Sequence, residues 1–307
     1  MADFSIGTAV GSGFGLIKRR PLSVFVWGLL TVVPAAASMG AILPMMSEFM
    51  TMASQADPDS GTASGAMMAE AMRMQGLFSL MGLVRLVLGV VTYTAIIRAV
   101  VRPKAHGFFF LRVGMDELRV FVVSLAIIVG VVVAMIVVSI LAAITGAVVW
   151  QAGGAIRALV IAALVIGGLV GALLIGARLS LLVPATVRFQ TFAFAEGWAL
   201  GKGRTWSLVG LVLILVLIVF GIEMVVSGVL GAVMFTTLGS GFDPDAWVSG
   251  ADPFASVLAL ARANWPWLAV GLVIGAAIYG MLTAILTAPF ASAVRQLSPD
   301  PDTTAAS

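Results

Sequence analysis

The chain has 307 residues, of which 61% are hydrophobic and 10% are charged, whereas about 25% of residues are charged in an ordinary soluble domain. A soluble fold of this length needs far more polar surface to cover its core, so the composition excludes both a soluble globular protein and a disordered one. The formal net charge is +3, and the chain has no cysteine and one histidine. These counts exclude disulfide frameworks, thiolate metal sites and cysteine nucleophiles.

Residues 1–20 predict a cytoplasmic interfacial helix. An apolar stripe recurs at helical spacing before a basic triplet, in the order Ile6, Val10, Phe14, Ile17, Lys18, Arg19, Arg20. An apolar face beside lysine and arginine is typical of a helix that lies in the membrane surface. Several glycines weaken the prediction, because each costs about 1 kcal/mol relative to alanine in a helix.

Six apolar segments predict the membrane domain, at about 22–43, 77–100, 120–147, 158–183, 207–235 and 266–293. A spanning helix needs about 20 apolar residues, and the segments lack the period-2 alternation of a membrane barrel. We therefore predict an all-α polytopic bundle of six transmembrane helices over 21–295, with short interfacial helices and a disordered cytoplasmic tail at 296–307. The first segment also imitates a cleaved signal peptide, whose loss would leave the orientation of the other five unchanged.

The basic residues predict the orientation of the helices. With a cytoplasmic N-terminus, eleven fall inside, namely Lys18, Arg19, Arg20, Arg102, Lys104, Arg112, Arg119, Arg188, Lys202, Arg204 and Arg295. Three fall in outside loops, namely Arg73, Arg157 and Arg262, while Arg85, Arg98 and Arg178 fall within or at the ends of spans. This excess follows the positive-inside rule, so both termini are predicted to be cytoplasmic.

The outside loops leave metal binding open. Thioethers bind Cu(I), and the loop 44–76 offers Met45, Met46, Met50, Met52, Met67, Met68, Met72 and Met74. Because no Cys or His accompanies them, amphipathic segments with adaptable methionine packing are the favoured interpretation. In 236–264, Asp243, Asp245 and Asp252 lack EF-hand spacing, so turn and helix-cap roles are predicted.

Two inside stretches, 102–119 and 188–206, mix aromatic and basic residues. Each predicts a short helix in the inner interface, with rings at the acyl boundary and cations toward lipid phosphates. Arg178 lies about one and a half turns before the inner end of the fourth span, and its side chain is long enough to reach the inner phosphates. The predicted inner-leaflet lipid contacts, for anionic head groups, are Arg178, Lys202, Arg204, Trp198 and Trp206.

Arg85 and Glu223 are the ionisable residues predicted deep in the spans. Such residues are candidates for function because an unpaired charge there is unfavourable. We predict that the two form an ion pair or share a water-filled pocket, either as a structural link between helices or as part of a transport pathway.

Small residues and prolines predict how the spans pack. Gly167 and Gly171 form a GxxxG motif in the fourth span, and Gly271 and Gly275 form another in the sixth. Such motifs allow close backbone approach, within one chain or between two copies. Pro289 is predicted to end the last span.

No catalytic constellation accompanies the spans. The chain has neither a His-Glu-x-x-His motif nor a Walker A motif, which would hold zinc or nucleotide phosphates. The predicted spans contain no Asp, and His106 lies in a loop. We therefore predict no enzyme activity, cofactor, metal or nucleic-acid partner.

One stretch is similar to a known family. It runs over Arg178–Pro184 and Gly197–Gly203 to Trp206, Leu208 and Gly210, with Phe4–Gly7, Arg20-Pro21 and Pro289–Arg295 matching in layout. It resembles the multi-pass membrane domain that occurs alone or fused to glycerophosphodiester phosphodiesterases, to which YciC-like inner-membrane proteins are related. The chain has Gly197 where that family usually has Ser, and Gly201 where it has Thr.

The resemblance implies a six-helix protein of the bacterial inner membrane and carries no phosphodiesterase activity, since the catalytic barrel is a separate domain. Two functions remain in competition. One is a scaffold or accessory protein in envelope or lipid processes, with a protein partner or a second copy. The other is a transporter or channel for a small or anionic solute, using Arg85 and Glu223.

Overall fold

The computed structural model describes residues 4–55, 61–103, 108–150, 153–238 and 253–298, and these residues form helices without strands. A 3-10 turn covers Phe108–Phe110. The α-helices of the described residues are α1 Ile6–Arg19, α2 Pro21–Gln55, α3 Gly61–Val101, α4 Met115–Val149, α5 Gly154–Leu179, α6 Leu182–Phe189, α7 Phe194–Leu200, α8 Thr205–Leu238, α9 Pro253–Ala263 and α10 Trp265–Leu297.

Six of these helices are long and apolar enough to cross a membrane. They are α2, α3, α4, α5, α8 and α10. The predicted all-α polytopic bundle is therefore confirmed, and the chain is a multi-pass integral membrane protein. Most side chains of α4 and α5 are exposed and apolar, as expected where lipid is the solvent.

Several helices extend beyond the predicted spans. Helix α2 has 35 residues and α3 has 41, so at 1.5 Å per residue they are about 50 and 60 Å long, against about 30 Å of hydrocarbon. Much of the predicted outside loop 44–76 is thus helical. Its Met, Ala, Glu and Gln are strong helix formers, which explains the extension.

The two stretches predicted to contain short interfacial helices, 102–119 and 188–206, have different outcomes. Stretch 102–119 has no separate short α-helix among its described residues, because the 3-10 turn leads through the non-helical residues 111–114 into α4. Its Phe109 and Phe110 have positive φ, a conformation that breaks helical continuation. In 188–206, α7 supplies a short helix. Helix α10 passes through Pro289 to Leu297, so that proline does not end it.

The chain divides into two compact units. Unit 1 comprises Met1–Arg19, Tyr93–Val216 and Ala284–Ser307, and unit 2 comprises Arg20–Thr92 and Leu217–Thr283. In unit 1, α6 is the most deeply buried helix, since Leu182 through Val187 are all buried. It packs against α4 and α7.

In unit 2, α2 and α10 cross at two glycines. A Cβ added to Gly28 would lie 1.8 Å from the carbonyl oxygen of Ala276, and one added to Gly280 would lie 2.1 Å from that of Val24. No side chain fits such a gap, so glycine is required here. Ala276 and Gly280 are four residues apart, which is the small-xxx-small spacing of closely packed membrane helices.

Helix α1 docks in unit 1 through a glycine face. Ala9, Gly13 and Leu16 are its buried residues, and a Cβ on Gly13 would lie 3.0 Å from the Cα of Ile285 in α10. The backbone amide of Ser5 also donates to Gln296 Oε1 over 3.0 Å. The glycines that weaken α1 as an isolated helix therefore permit its contact with α10.

Candidate functional site

Four arginines from different elements surround the end of α3 in unit 1, and we call them the arginine cluster: Arg98, Arg102, Arg188 and Arg295. Arg98 is 3% exposed and donates to Glu117 Oε1 over 2.5 Å and to the Phe110 carbonyl over 2.7 Å. Asp116 Oδ2 lies 3.5 Å from Arg98 Nη2 and 3.3 Å from Arg102 Nη2. A buried guanidinium is thus matched by carboxylates and a carbonyl.

The other members of the arginine cluster bind carbonyls at helix ends. Arg188 Nη1 donates to the Val101 carbonyl over 3.5 Å, and Arg295 Nη1 donates to the Val100 carbonyl over 3.3 Å. Arg102 donates to the Val187 carbonyl of α6. The last carbonyls of a helix have no partner within the helix, and cations are favourable beside them. The cluster therefore joins α3, α6 and α10.

The arginine cluster was not predicted from the sequence, although two adjacent carboxylates in the sequence indicate it. Asp116 and Glu117 stand together just before the third apolar segment, within reach of arginines that end the second. In the structure Glu117 also accepts from the Gly114 amide over 3.0 Å, at the start of α4. Burial lowers the pKa of Arg102, while the charge of Asp116 raises it. Asp116 and Glu117 are both held by arginines of the cluster, so their role here is structural.

A groove opens beside Arg178, where α5 ends and α8 begins in unit 1. Its volume is about 460 Å³, within the range of small-molecule sites. We call it the Arg178 groove, and its lining residues are Leu174, Ile175, Arg178, Trp198, Gly203, Thr205 and Trp206. Three of the five predicted lipid contacts therefore line one groove, and Lys202 and Arg204 lie in the turn beside it.

Arg178 is fixed in the groove on two sides. Its Nε donates to Thr205 Oγ1 over 2.8 Å, and that hydroxyl donates onward to the Gly201 carbonyl over 3.3 Å. The guanidinium carbon lies 5.2 Å from the centroid of the Trp198 ring, within cation–π range. The guanidinium is therefore held before any ligand arrives.

The turn between α7 and α8 depends on two glycines. Gly203 has φ of 80°, which glycine adopts without strain. A Cβ on Gly201 would lie 3.3 Å from Arg178 Cγ, so glycine leaves room for the arginine stem. Gly197 is as tight, because its Cβ would lie 3.0 Å from Leu182 Cα. Glycine at positions 197 and 201 thus has a packing reason in this chain.

The structure does not bring Arg85 and Glu223 together. Both side chains are exposed, and the ion pairs between described residues do not include them. The buried arginine of α3 is instead Arg98, near the end of that helix. Its partners lie close by in sequence at the start of α4, whereas Arg85 lies on an exposed face of α3.

The predicted GxxxG motifs are not the sites of closest helix approach. Among the described residues, no atom lies within 4 Å of a Cβ added to Gly167, Gly171 or Gly271, and a Cβ on Gly275 would meet Val32 Cγ1 at 4.0 Å. The close crossing uses Gly28 and Gly280 instead, because these glycines face a neighbouring backbone. The spacing of glycines along a helix does not show which face of that helix meets a neighbouring backbone.

The candidate metal ligands of the predicted outside loops lie partly within the described residues. No group of three or more His, Asp or Glu is placed to hold a metal ion within them. Of the methionines, Met45 is buried, and Met50, Met68 and Met72 are exposed on α2 and α3. His106, Asp243, Asp245 and Asp252 lie outside the described residues, as do 299–307 of the predicted tail.

No protein-family model matches this chain, and neither a curated protein nor a solved structure does.

Proposed function

We propose that this chain is a non-catalytic scaffold or accessory protein of a bacterial inner membrane, serving envelope or lipid processes, with both termini in the cytoplasm. The observation that carries the proposal is the composition of the Arg178 groove. Among the described residues its lining contains one ionisable group, Arg178, beside Thr205, Gly203 and apolar and aromatic side chains. General acid–base or nucleophilic catalysis needs a second group in reach, so the groove suits binding better than turnover.

The arginine cluster supports the same proposal. Its arginines bind Asp116, Glu117 and helix-end carbonyls, and these contacts hold the helices in place. The resemblance to the multi-pass domain that occurs beside glycerophosphodiester phosphodiesterases adds a link to lipid processes. The positive-inside excess supports cytoplasmic termini.

Reconstitution tests the proposal against transport. The full chain is inserted into phospholipid vesicles and the flux of labelled anionic solutes is compared with that of protein-free vesicles, using wild type, Arg85→Ala and Glu223→Ala. A scaffold gives no flux above the protein-free vesicles. Flux in the wild type that both variants abolish would overturn the proposal in favour of a transporter.

Purification from native membranes tests the accessory role directly. The tagged chain is extracted into polymer nanodiscs and its associated proteins and lipids are quantified by mass spectrometry. We expect a partner at fixed stoichiometry that survives extraction with its surrounding lipid. Hydrolysis of a phosphodiester lipid by the purified chain would contradict the non-catalytic assignment.

A further inference from the structure

We infer that the Arg178 groove is a specific site for one anionic phospholipid, with its phosphate on the Arg178 guanidinium. The inference rests on the proposed function in one respect, namely that this end of the helices lies at the inner leaflet. It goes further by naming the ligand class, the atoms that bind it and the residues that position those atoms.

The Arg178 guanidinium has N–H donors that its contacts with Thr205 and Trp198 do not use. Among the described residues, the side chain of Arg178 makes its hydrogen bond through Nε alone. Its two terminal nitrogens carry the other four N–H groups, and these are free to donate. Two parallel N–H groups match two oxygens of a phosphate, which is the geometry that makes arginine a phosphate ligand.

The Arg178 guanidinium is preorganised for a ligand. Thr205 and Trp198 hold the guanidinium from Nε and from one face. A fixed arginine loses little side-chain freedom when a ligand binds, so more of the interaction energy contributes to affinity. Thr205 is therefore a positioning residue, and Arg178 is the phosphate ligand.

The apolar wall of the groove favours a lipid over a soluble anion. Ile175 and Leu174 lie three and four residues before Arg178 on α5, and they line the same groove. Trp206 is 75% exposed at its rim, as is usual for tryptophan at a membrane interface. A site with a cation at one end and an apolar wall at the other fits an amphipathic ligand, whereas inorganic phosphate would leave the apolar wall without a partner.

Basic residues beside the groove favour a lipid head group with a net negative charge. Lys202 and Arg204 belong to the turn beside the groove, and Lys202 is exposed. Basic residues at a membrane surface attract anionic lipids over zwitterionic ones. The geometry therefore favours a lipid with net negative charge, such as phosphatidylglycerol, over phosphatidylcholine.

Native mass spectrometry of the full chain in detergent tests the site, with short-chain phosphatidylglycerol, short-chain phosphatidylcholine and inorganic phosphate as separate probes. We expect one saturable phosphatidylglycerol per chain, weaker phosphatidylcholine binding and no competition by inorganic phosphate at equal concentration. Equal binding of both lipids would overturn the inference. Displacement by inorganic phosphate at that concentration would overturn the lipid as ligand.

Variants locate the binding. Arg178→Gln should weaken phosphatidylglycerol binding at least about tenfold, since it removes a charge-assisted contact to phosphate. Thr205→Val keeps the arginine and removes the Nε acceptor, and it should weaken binding by a smaller factor. Arg157→Gln is the matched control, because Arg157 lies at the other end of α5 and stacks on Trp150 at 5.0 Å. Retained affinity in Arg178→Gln, or equal losses in Arg178→Gln and Arg157→Gln, would refute the assignment.

Two further readouts keep the result decisive. Circular dichroism and thermal unfolding without added lipid show whether Arg178→Gln is folded, and Thr205→Val carries the test if it is not. Unchanged affinity in a folded Thr205→Val would remove its positioning role. Lipid binding together with solute flux would overturn the scaffold proposal and support the lipid site. The absence of both would overturn the lipid site and support the scaffold proposal.

Discussion

Arg98 shows how a single charge is accommodated where the helices end. A buried ion must recover in direct contacts what it loses in hydration, and removal of one partner leaves the other charge buried and unmatched. Glu117, with 7% of its side chain exposed, supplies the matching charge. The Phe110 carbonyl accepts a second bond. The pair therefore matters to stability in a way that an exposed pair does not.

We predict that Arg98→Met destabilises the protein by about 3–5 kcal/mol, the range for breaking a buried pair. The double variant Arg98→Met with Glu117→Leu should recover part of that loss. Thermal unfolding in detergent measures the difference.

The matched control is Arg73→Met, because Arg73 pairs with Glu70 on α3 at 3.5 Å and its side chain is 65% exposed. The side chain of Glu70 is 12% exposed, but a pair whose arginine stays in solvent contributes less than a pair with both members buried. Equal losses in Arg73→Met and Arg98→Met would show that Arg98 is not a buried member of a pair.

At the scale of helices, glycine position decides which elements approach closely. Gly28 and Gly280 bring the backbones of α2 and α10 together, and Gly13 brings α1 onto α10. Dispersion contacts and packing drive helix association in lipid, since water is absent from the interface. A methyl group at these positions therefore acts on the whole contact.

Gly28→Ala should destabilise the chain by about 1–3 kcal/mol or more, the usual range for overpacking. The added Cβ would lie 1.8 Å from a backbone oxygen, which cannot move without shifting α10. Gly40→Ala on the same helix has nothing within 4 Å and should be neutral or stabilising by up to about 1 kcal/mol. Thermal unfolding of the two variants compares them, and similar midpoints would exclude the crossing.

Gly13→Leu should release α1 from α10. We expect trypsin to cleave after Lys18 or Arg19 several times faster than in the wild type, because cleavage requires local opening of the helix. Gly11→Leu is the control, since nothing lies within 4 Å of a Cβ at Gly11. Equal cleavage rates in both variants would show that the glycine face is not the docking face.

At the scale of the whole molecule, the absence of cysteine makes topology directly measurable. Lys202 lies in the turn before α8, and Trp265 begins α10. The excess of basic residues predicts that Lys202 is cytoplasmic and that Trp265 is on the other side of the membrane. A single cysteine at either position has no competing thiol in the chain.

We expect Trp265→Cys to react with a membrane-impermeant maleimide in intact cells stripped of their outer membrane, and Lys202→Cys to react only after lysis. Gel shifts measure both reactions. The opposite pattern would reverse the orientation, and with it the assignment of the Arg178 groove to the inner leaflet.

The sequence by itself determined the membrane class and the six spanning helices, because the length and hydropathy of an apolar run are local properties. It also marked Arg178, Trp198 and Trp206, since their types are typical of an interface. It did not select the glycines of the close crossing or the arginines of the buried cluster.

Only the tertiary structure decided those choices. Arg98 rather than Arg85 has carboxylate partners, and Gly28 and Gly280 rather than Gly167 and Gly171 meet a neighbouring backbone. Thr205, which no sequence feature distinguished, holds Arg178. The physical reason is that a charge or a glycine has its effect through what it faces, and that depends on how distant helices pack.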